Sequence, residues 1–190
     1  MKKAYINVPN ALSVSRALFL PLLIFFVIKD MNLAFLIGYI ILGSTDFFDG
    51  LIARKFNQKT DIGKALDSIA DIFFYVSSAW FLYRLYPEYI DPNSTLLIIF
   101  FSLFFLSFLI SGILCKKPIM MHTFLLRLNG VLVYLVVIAS YFFNTTWFIA
   151  AILIIYLIAF IEEIIIFIKY GQVDPDTPSL LTLTKAEKKN

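Results

Sequence analysis

Six apolar runs, at about 9–28, 32–48, 65–85, 95–115, 121–143 and 146–168, occupy most of this 190-residue chain and leave little choice of fold. Each approaches the roughly 20 residues an α-helix needs to cross a hydrocarbon core of about 30 Å. With 61% hydrophobic residues and a mean hydropathy of +0.87, the chain is more apolar than a soluble domain of this size requires. Backbone amides inside a bilayer must be paired within the protein, which selects helices. The reading is therefore all-α: a polytopic membrane protein with six transmembrane helices and a short N-terminal juxtamembrane segment. Connections at 29–31 and 144–145 are short enough to force antiparallel neighbours, and Pro21 is placed to kink the first span. One membrane domain, 1–171, is expected, followed by a polar cytoplasmic tail, 172–190, that contains Pro175, Pro178 and a lysine cluster and reads as mostly solvated.

Basic residues orient these spans. With the N-terminus inside, 14 of the 16 Lys and Arg residues fall on inner segments, and only Lys29 and Arg84 fall outside. That asymmetry is a positive-inside signal. The net charge of +3 accordingly reads as membrane orientation, with some attraction to anionic lipid, and not as a nucleic-acid footprint. Cys115 is the only cysteine, so no intrachain disulfide can form. Lys2 and Lys3 precede an apolar segment with no A-x-A-type site after it, and this opening reads as a retained first span and not as a cleaved signal peptide.

Against this apolar background, four aspartates stand at the inner ends of two runs, in D-F-F-D-G-L-I-A-R and, eight residues on, G-K-A-L-D-S-I-A-D. A carboxylate beside lipid costs roughly 3 kcal/mol or more, so a site that holds four of them needs a compensating cation. All-oxygen ligands suit Mg²⁺ or Mn²⁺. At about 100° per residue, Asp46, Asp49, Gly50, Ala53 and Arg54 fall within an arc of about 140° if the helix continues that far. Gly63, Asp67 and Asp71 step by about 40° and share a narrow stripe. Gly costs about 1 kcal/mol in a helix relative to Ala and permits close approach; with Ala53 it makes a shallow floor. Arg54 supplies a fork of donors suited to phosphate. Carboxylates, floor and clamp together point to a nucleotide or diphosphate substrate.

The run resembles, position for position, the signature of the CDP-alcohol phosphatidyltransferase family, D-x2-D-G-x2-A-R-x8-G-x3-D-x3-D. All eight fixed positions are filled, by Asp46, Asp49, Gly50, Ala53, Arg54, Gly63, Asp67 and Asp71. The resemblance implies transfer of a phosphatidyl or related group from a CDP-linked donor, such as CDP-diacylglycerol, to an acceptor alcohol, with release of CMP. It implies two divalent ions, Mg²⁺ or Mn²⁺, held by Asp46, Asp49 and Asp67 with a contribution from Asp71, which is also the base. It further implies a donor site made by Asp49, Gly50, Ala53, Arg54 and Gly63. A homodimer in the cell membrane, with the active site facing the cytoplasm, is implied as well.

The acceptor is less sharply marked. The opening I-N-V-P-N-A-L-S-V-S-R is similar to the start of phosphatidylglycerophosphate synthases, N-x-P-N-x-L-T-x-x-R, through Asn7, Pro9, Asn10, Leu12 and Arg16, with Ser13 in place of Thr. Such synthases usually read D-P-L-A-D-K where this chain has D-S-I-A-D-I, so Ser68 and Ile72 depart from that pattern. Glycerol 3-phosphate is the leading acceptor, with serine or another amino alcohol, inositol, its phosphate, and phosphatidylglycerol as alternatives. Candidate acceptor contacts are Asn10, Arg16, Lys64, Lys116, Lys117 and Arg127.

The remaining polar residues have plainer readings. Glu162 and Glu163 are expected to pair with Arg16, Arg127 or Lys169, because intramembrane acids rarely stand alone; the alternative is contact with an ammonium-bearing acceptor. His122 reads as a loop residue, while snorkelling and acceptor binding are both open for Arg127. Trp80 and Trp147 read as interfacial anchors. An ion or proton transporter would spread its carboxylates at mid-membrane over several helices, and a prenyltransferase would carry two separate aspartate clusters. Dependence on CMP distinguishes all three classes.

Overall fold

A computed structural model describes residues 7–56, 60–116, 121, 123–171, 173–174 and 177–187. Lys117 and His122 lie outside the described residues, as do the side chains of Arg54, Lys64 and Ser68. Among the described residues all regular structure is helical. The order is α1 (Val8–Ile28), α2 (Asn32–Lys55), α3 (Asp61–Leu85), the single turn α4 (Pro87–Ile90), a 3₁₀ turn (Asp91–Asn93), α5 (Ser94–Cys115), α6 (Phe124–Ser140), α7 (Thr146–Tyr170) and α8 (Leu180–Glu187).

Among the described residues four stretches are long and apolar enough to cross a membrane: Val8–Ile28, Asn32–Ala53, Pro87–Cys115 and Thr146–Tyr170. The two other expected spans differ. α6 is apolar but only 17 residues long, about 25 Å of helix; the chain from 141 to 143 turns where the apolar run predicts continued helix. α3 has 25 residues but carries Asp67 and Asp71 in its first half. Large apolar side chains such as Leu18, Ile98, Ile113 and Trp147 are exposed, the reverse of a water-facing surface. The structure supports a polytopic all-α membrane protein.

Packing groups the chain into two units, Met1–Pro87 with Val137–Phe143, and Glu88–Val136 with Asn144–Asn190. In the first, α1 packs along both α2 and α3. Asn7 starts α1 by accepting the Asn10 N–H at 2.9 Å, with Pro9 in the first turn, where its missing donor costs nothing. The helix continues through Pro21 to Ile28. Its buried stripe, Pro9, Asn10, Ser13, Arg16, Leu20, Leu23 and Val27, recurs at helical spacing and is polar at one end and aliphatic at the other. Gly38 admits the aliphatic end, since a Cβ there would meet Leu23 Cδ2 at 2.8 Å.

Aromatic packing fixes α2 against α3. Phe35 meets Phe81 edge-on with centroids 4.9 Å apart, and Tyr39 stacks on Phe74 at 5.0 Å. The buried Tyr39 hydroxyl shares a 2.8 Å hydrogen bond with Ser78 Oγ. Because the helices are antiparallel, seven residues forward from Tyr39 and seven back from Ser78 reach Asp46 and Asp71. Two turns cover about 10.5 Å on each helix, so the same register that seats the tyrosine sets Asp46 opposite Asp71.

In the second unit α5 packs on α7, with Phe100 and Phe104 against Phe160, and Tyr156 beside Phe100. Glu163 is buried and accepts from Ser107 Oγ at 2.7 Å and from the Met121 N–H at 2.8 Å. Glu162 Oε1 accepts the Leu180 N–H at 2.9 Å. The glutamates are thus held by hydroxyl and amide donors, while Arg16, one of their expected partners, is engaged in the first unit. The expectation of a solvated tail also changes. Leu180 and Leu183 lie one turn apart on α8 and pack on the buried Cys115, Met121, Ile166 and Phe167, while Pro178 O accepts the Phe124 N–H at 2.9 Å.

Glu163→Leu strands two buried donors and should lower the unfolding free energy in detergent by about 2–3 kcal/mol, whereas Glu163→Gln keeps an acceptor for Met121 and should cost about 1 kcal/mol or less. Equal losses for the two variants would show that these hydrogen bonds contribute nothing.

Candidate active site

α2 runs without a break to Lys55, so Asp46, Asp49, Gly50 and Ala53 share the arc that helical spacing predicts. α3 begins at Asp61, six residues before Asp67, where Thr60 Oγ1 caps the helix by accepting the Gly63 N–H at 2.9 Å. The connection from 57 to 59 lies outside the described residues. One ligand oxygen from each of Asp46, Asp49 and Asp67 lies within 4.8 Å of the others.

α1 brings a fifth charged group to this cluster. The Arg16 guanidinium, only 1% exposed, reaches all four carboxylates. Nη1 lies 3.3 Å from Asp46 Oδ1 and is hydrogen-bonded to Asp71 Oδ1. Nη2 lies 2.7 Å from Asp49 Oδ2 and 3.4 Å from Asp67 Oδ1. Each terminal nitrogen therefore bridges one aspartate of α2 and one of α3. Ser13, one turn earlier on the same face, donates to Asp49 Oδ2 at 3.1 Å and lies 3.4 Å from Asp67 Oδ1.

Two like charges 4 Å apart repel by about 4 kcal/mol at an effective dielectric constant near 20. Among the described residues, one guanidinium faces four carboxylates, so three of the four, if ionised, are not matched by it. Asp49 is buried at 5% exposure, but Asp46, Asp67 and Asp71 keep 42%, 39% and 33% of their side chains open. The cluster is therefore reachable from outside the protein, and its donor set, all carboxylate oxygen, suits a hard divalent cation.

The model of the CDP-alcohol phosphatidyltransferase family matches residues 6–170. The chain belongs to this family. Among curated relatives, the CDP-diacylglycerol–glycerol-3-phosphate 3-phosphatidyltransferase of Aquifex aeolicus is 47% identical over 68 residues, 36% of this chain and 38% of that protein. The protein of the same name from Rickettsia typhi is 41% identical over 68 residues, 34% of this chain and 38% of its own. A CDP-diacylglycerol–inositol 3-phosphatidyltransferase of Candida albicans is 36% identical over 85 residues, 45% of this chain and 36% of its own. The matched segment spans less than two-fifths of the length of these relatives.

The first unit of the chain brings together the four aspartates, Gly63, Asn10 and Arg16. Gly50 and Ala53 lie half-buried on the same helix as Asp49, and that helix includes position 54. Lys116, exposed and left-handed at φ 58° at the end of α5, and Arg127, exposed on α6, belong to the second unit. The sequence pattern assigns Arg16 to the acceptor; in the structure it is the partner of the aspartates. The contacts of Ser13, marked in the sequence as a replacement for Thr, and of Thr60, not marked there, emerge only in the structure. The signal for Ser13 lies in its spacing: Asn10, Ser13 and Arg16 recur every three residues, a polar stripe on an otherwise apolar helix.

Gly63 has a physical requirement of its own. A Cβ there would lie 2.5 Å from Asn10 Oδ1 and 2.9 Å from the capping Thr60 Oγ1. Gly63→Ala should therefore destabilise the detergent-solubilised protein by about 1–3 kcal/mol, and Asn10→Ala in the same chain should recover part of the loss. Additive losses in the double variant would show that Asn10 is not what crowds the position.

Proposed function

We propose that the chain transfers a phosphatidyl group, a substituted phosphate, from a CDP-linked lipid donor, CDP-diacylglycerol, to the hydroxyl of glycerol 3-phosphate, with release of CMP. The observation that carries this reading is the register that sets two aspartates of α2 across from two of α3 around one cationic centre. Family membership supplies the chemistry, and the names of the Aquifex and Rickettsia relatives favour this acceptor. The inositol transferase among the relatives, together with Ser68 and Ile72 in place of the expected pattern, supports inositol or its phosphate as the second reading.

The carboxylates of Asp46, Asp49 and Asp67 would hold divalent metal, Mg²⁺ or Mn²⁺, with Asp71 at its edge and a second ion within the same set. Metal bound there would neutralise the donor diphosphate and make CMP a better leaving group. The Arg54 fork is the group for the donor phosphates, with Gly50, Ala53 and Gly63 leaving room for the cytidine. Asp71 takes the proton of the acceptor hydroxyl as its oxygen attacks phosphorus. The new P–O bond joins phosphatidyl to acceptor, the bond to CMP breaks, and the proton stays on Asp71. No covalent enzyme intermediate is needed.

Six crossings, with α3 and α6 as the shorter or more polar two, place the aspartates at the cytoplasmic leaflet by the distribution of Lys and Arg. The division into a membrane domain, 1–171, and a tail, 172–190, and the homodimer belong to the same proposal. Asn10, Arg16, Lys64, Lys116, Lys117 and Arg127 remain candidates for the acceptor phosphate.

The test is an acceptor screen with radiolabelled CDP-diacylglycerol and Mg²⁺ or Mn²⁺, scored by CMP release and lipid product. Glycerol 3-phosphate should give the product, and inositol should not. Asp71→Asn should lower turnover by about a hundredfold or more while donor binding persists. Near-normal turnover in that variant would overturn the base assignment, and movement of ions without CMP release would favour a transporter.

A further inference from the structure

We propose that Arg16 is the internal counter-ion of the metal-free site, and that divalent cation and the guanidinium compete for the same aspartates. The inference rests on the metal reading above and adds to it a role for a residue outside the eight-residue signature. Four observations carry it. Arg16 Nη1 and Nη2 contact oxygens of all four aspartates, including three that offer oxygens to a common cation position. The side chain is buried, so it occupies the centre of the cluster and not its rim. Among the described residues its Nε is buried without a hydrogen-bond partner, and the contacts of the guanidinium are at the tip that faces the carboxylates. Asp71, the assigned base, is one of the groups it holds.

Physical reasoning then orders the events. A cluster of four carboxylates repels itself, and removing the buried Arg16 cation would leave buried charge without that partner. Arg16 therefore keeps α2 and α3 together before metal arrives. A hard divalent ion needs oxygens at about 2.1 Å, and a guanidinium nitrogen 2.7 Å from Asp49 Oδ2 stands in that space. Loading of the site requires the guanidinium to withdraw from these oxygens. Arg16 is thus a positioning residue: it keeps the base engaged until the site is charged.

Mn²⁺ binding to the purified, detergent-solubilised full chain, read by electron paramagnetic resonance, tests this without any turnover. Arg16→Gln should bind Mn²⁺ about tenfold more tightly than the parent. The metal-free variant should melt at lower temperature, and Mn²⁺ should raise its melting temperature by more than it raises that of the parent. Arg16→Lys, which keeps the charge but not the two-pronged reach, should fall between them. If Arg16→Gln folds only in Mn²⁺, chelation should unfold it and leave the parent folded. Unchanged or weaker Mn²⁺ binding in Arg16→Gln would overturn the competition and leave the metal site standing. Absence of Mn²⁺ binding in both parent and variant would overturn both.

Discussion

Carboxylates are costly wherever water is scarce, and α2 and α3 present two apiece on facing stripes. The first unit is arranged around the compensation of that charge. α1 packs along both helices and delivers one guanidinium whose two terminal nitrogens each join an α2 aspartate to an α3 aspartate. Two turns away, Tyr39 and Ser78 hold the same pair of helices through an aromatic and hydrogen-bonded contact. Displacement of either helix by one residue would turn both the tyrosine and the aspartates off their facing stripes, so packing and charge select the same alignment.

The second unit solves a related problem by other means. Two adjacent glutamates near the end of α7 find neutral donors. Glu163 takes the Ser107 hydroxyl and the Met121 amide, and Glu162 caps the first turn of α8. These bonds tie together the segments on either side of the connection that carries Lys116. The acidic groups of the two units are thus chemically distinct. Those near Arg16 are partly open to ligand, whereas Glu163 is buried and already satisfied.

Local periodicity makes much of this legible in the amino-acid sequence. Helical spacing places Asp46, Asp49, Gly50 and Ala53 on one arc and Gly63, Asp67 and Asp71 on one stripe, and α2 does continue through that motif. The short connections at 29–31 and 144–145 fall between helices, as their length predicts. Pairing across helices is not legible, because spacing within one helix says nothing of which residue on another lies opposite. That is why the sequence does not show Arg16 and Ser13 reaching the aspartates of α2 and α3. The tail departs from its expectation for a different reason. Pro175 and Pro178 argue locally for loop, and the apolar pair Leu180 and Leu183 gains its helix only through tertiary contact with α5 and α7 residues and the cap from Glu162.

The most direct test of the account is the position of metal in the loaded protein. Crystals grown with Mn²⁺ and a CDP-linked donor analogue would reveal it by anomalous scattering. The account predicts signal among Asp46, Asp49, Asp67 and Asp71, with the Arg16 guanidinium withdrawn from them. Signal elsewhere, or Arg16 still bridging all four aspartates in the donor-bound protein, would contradict it.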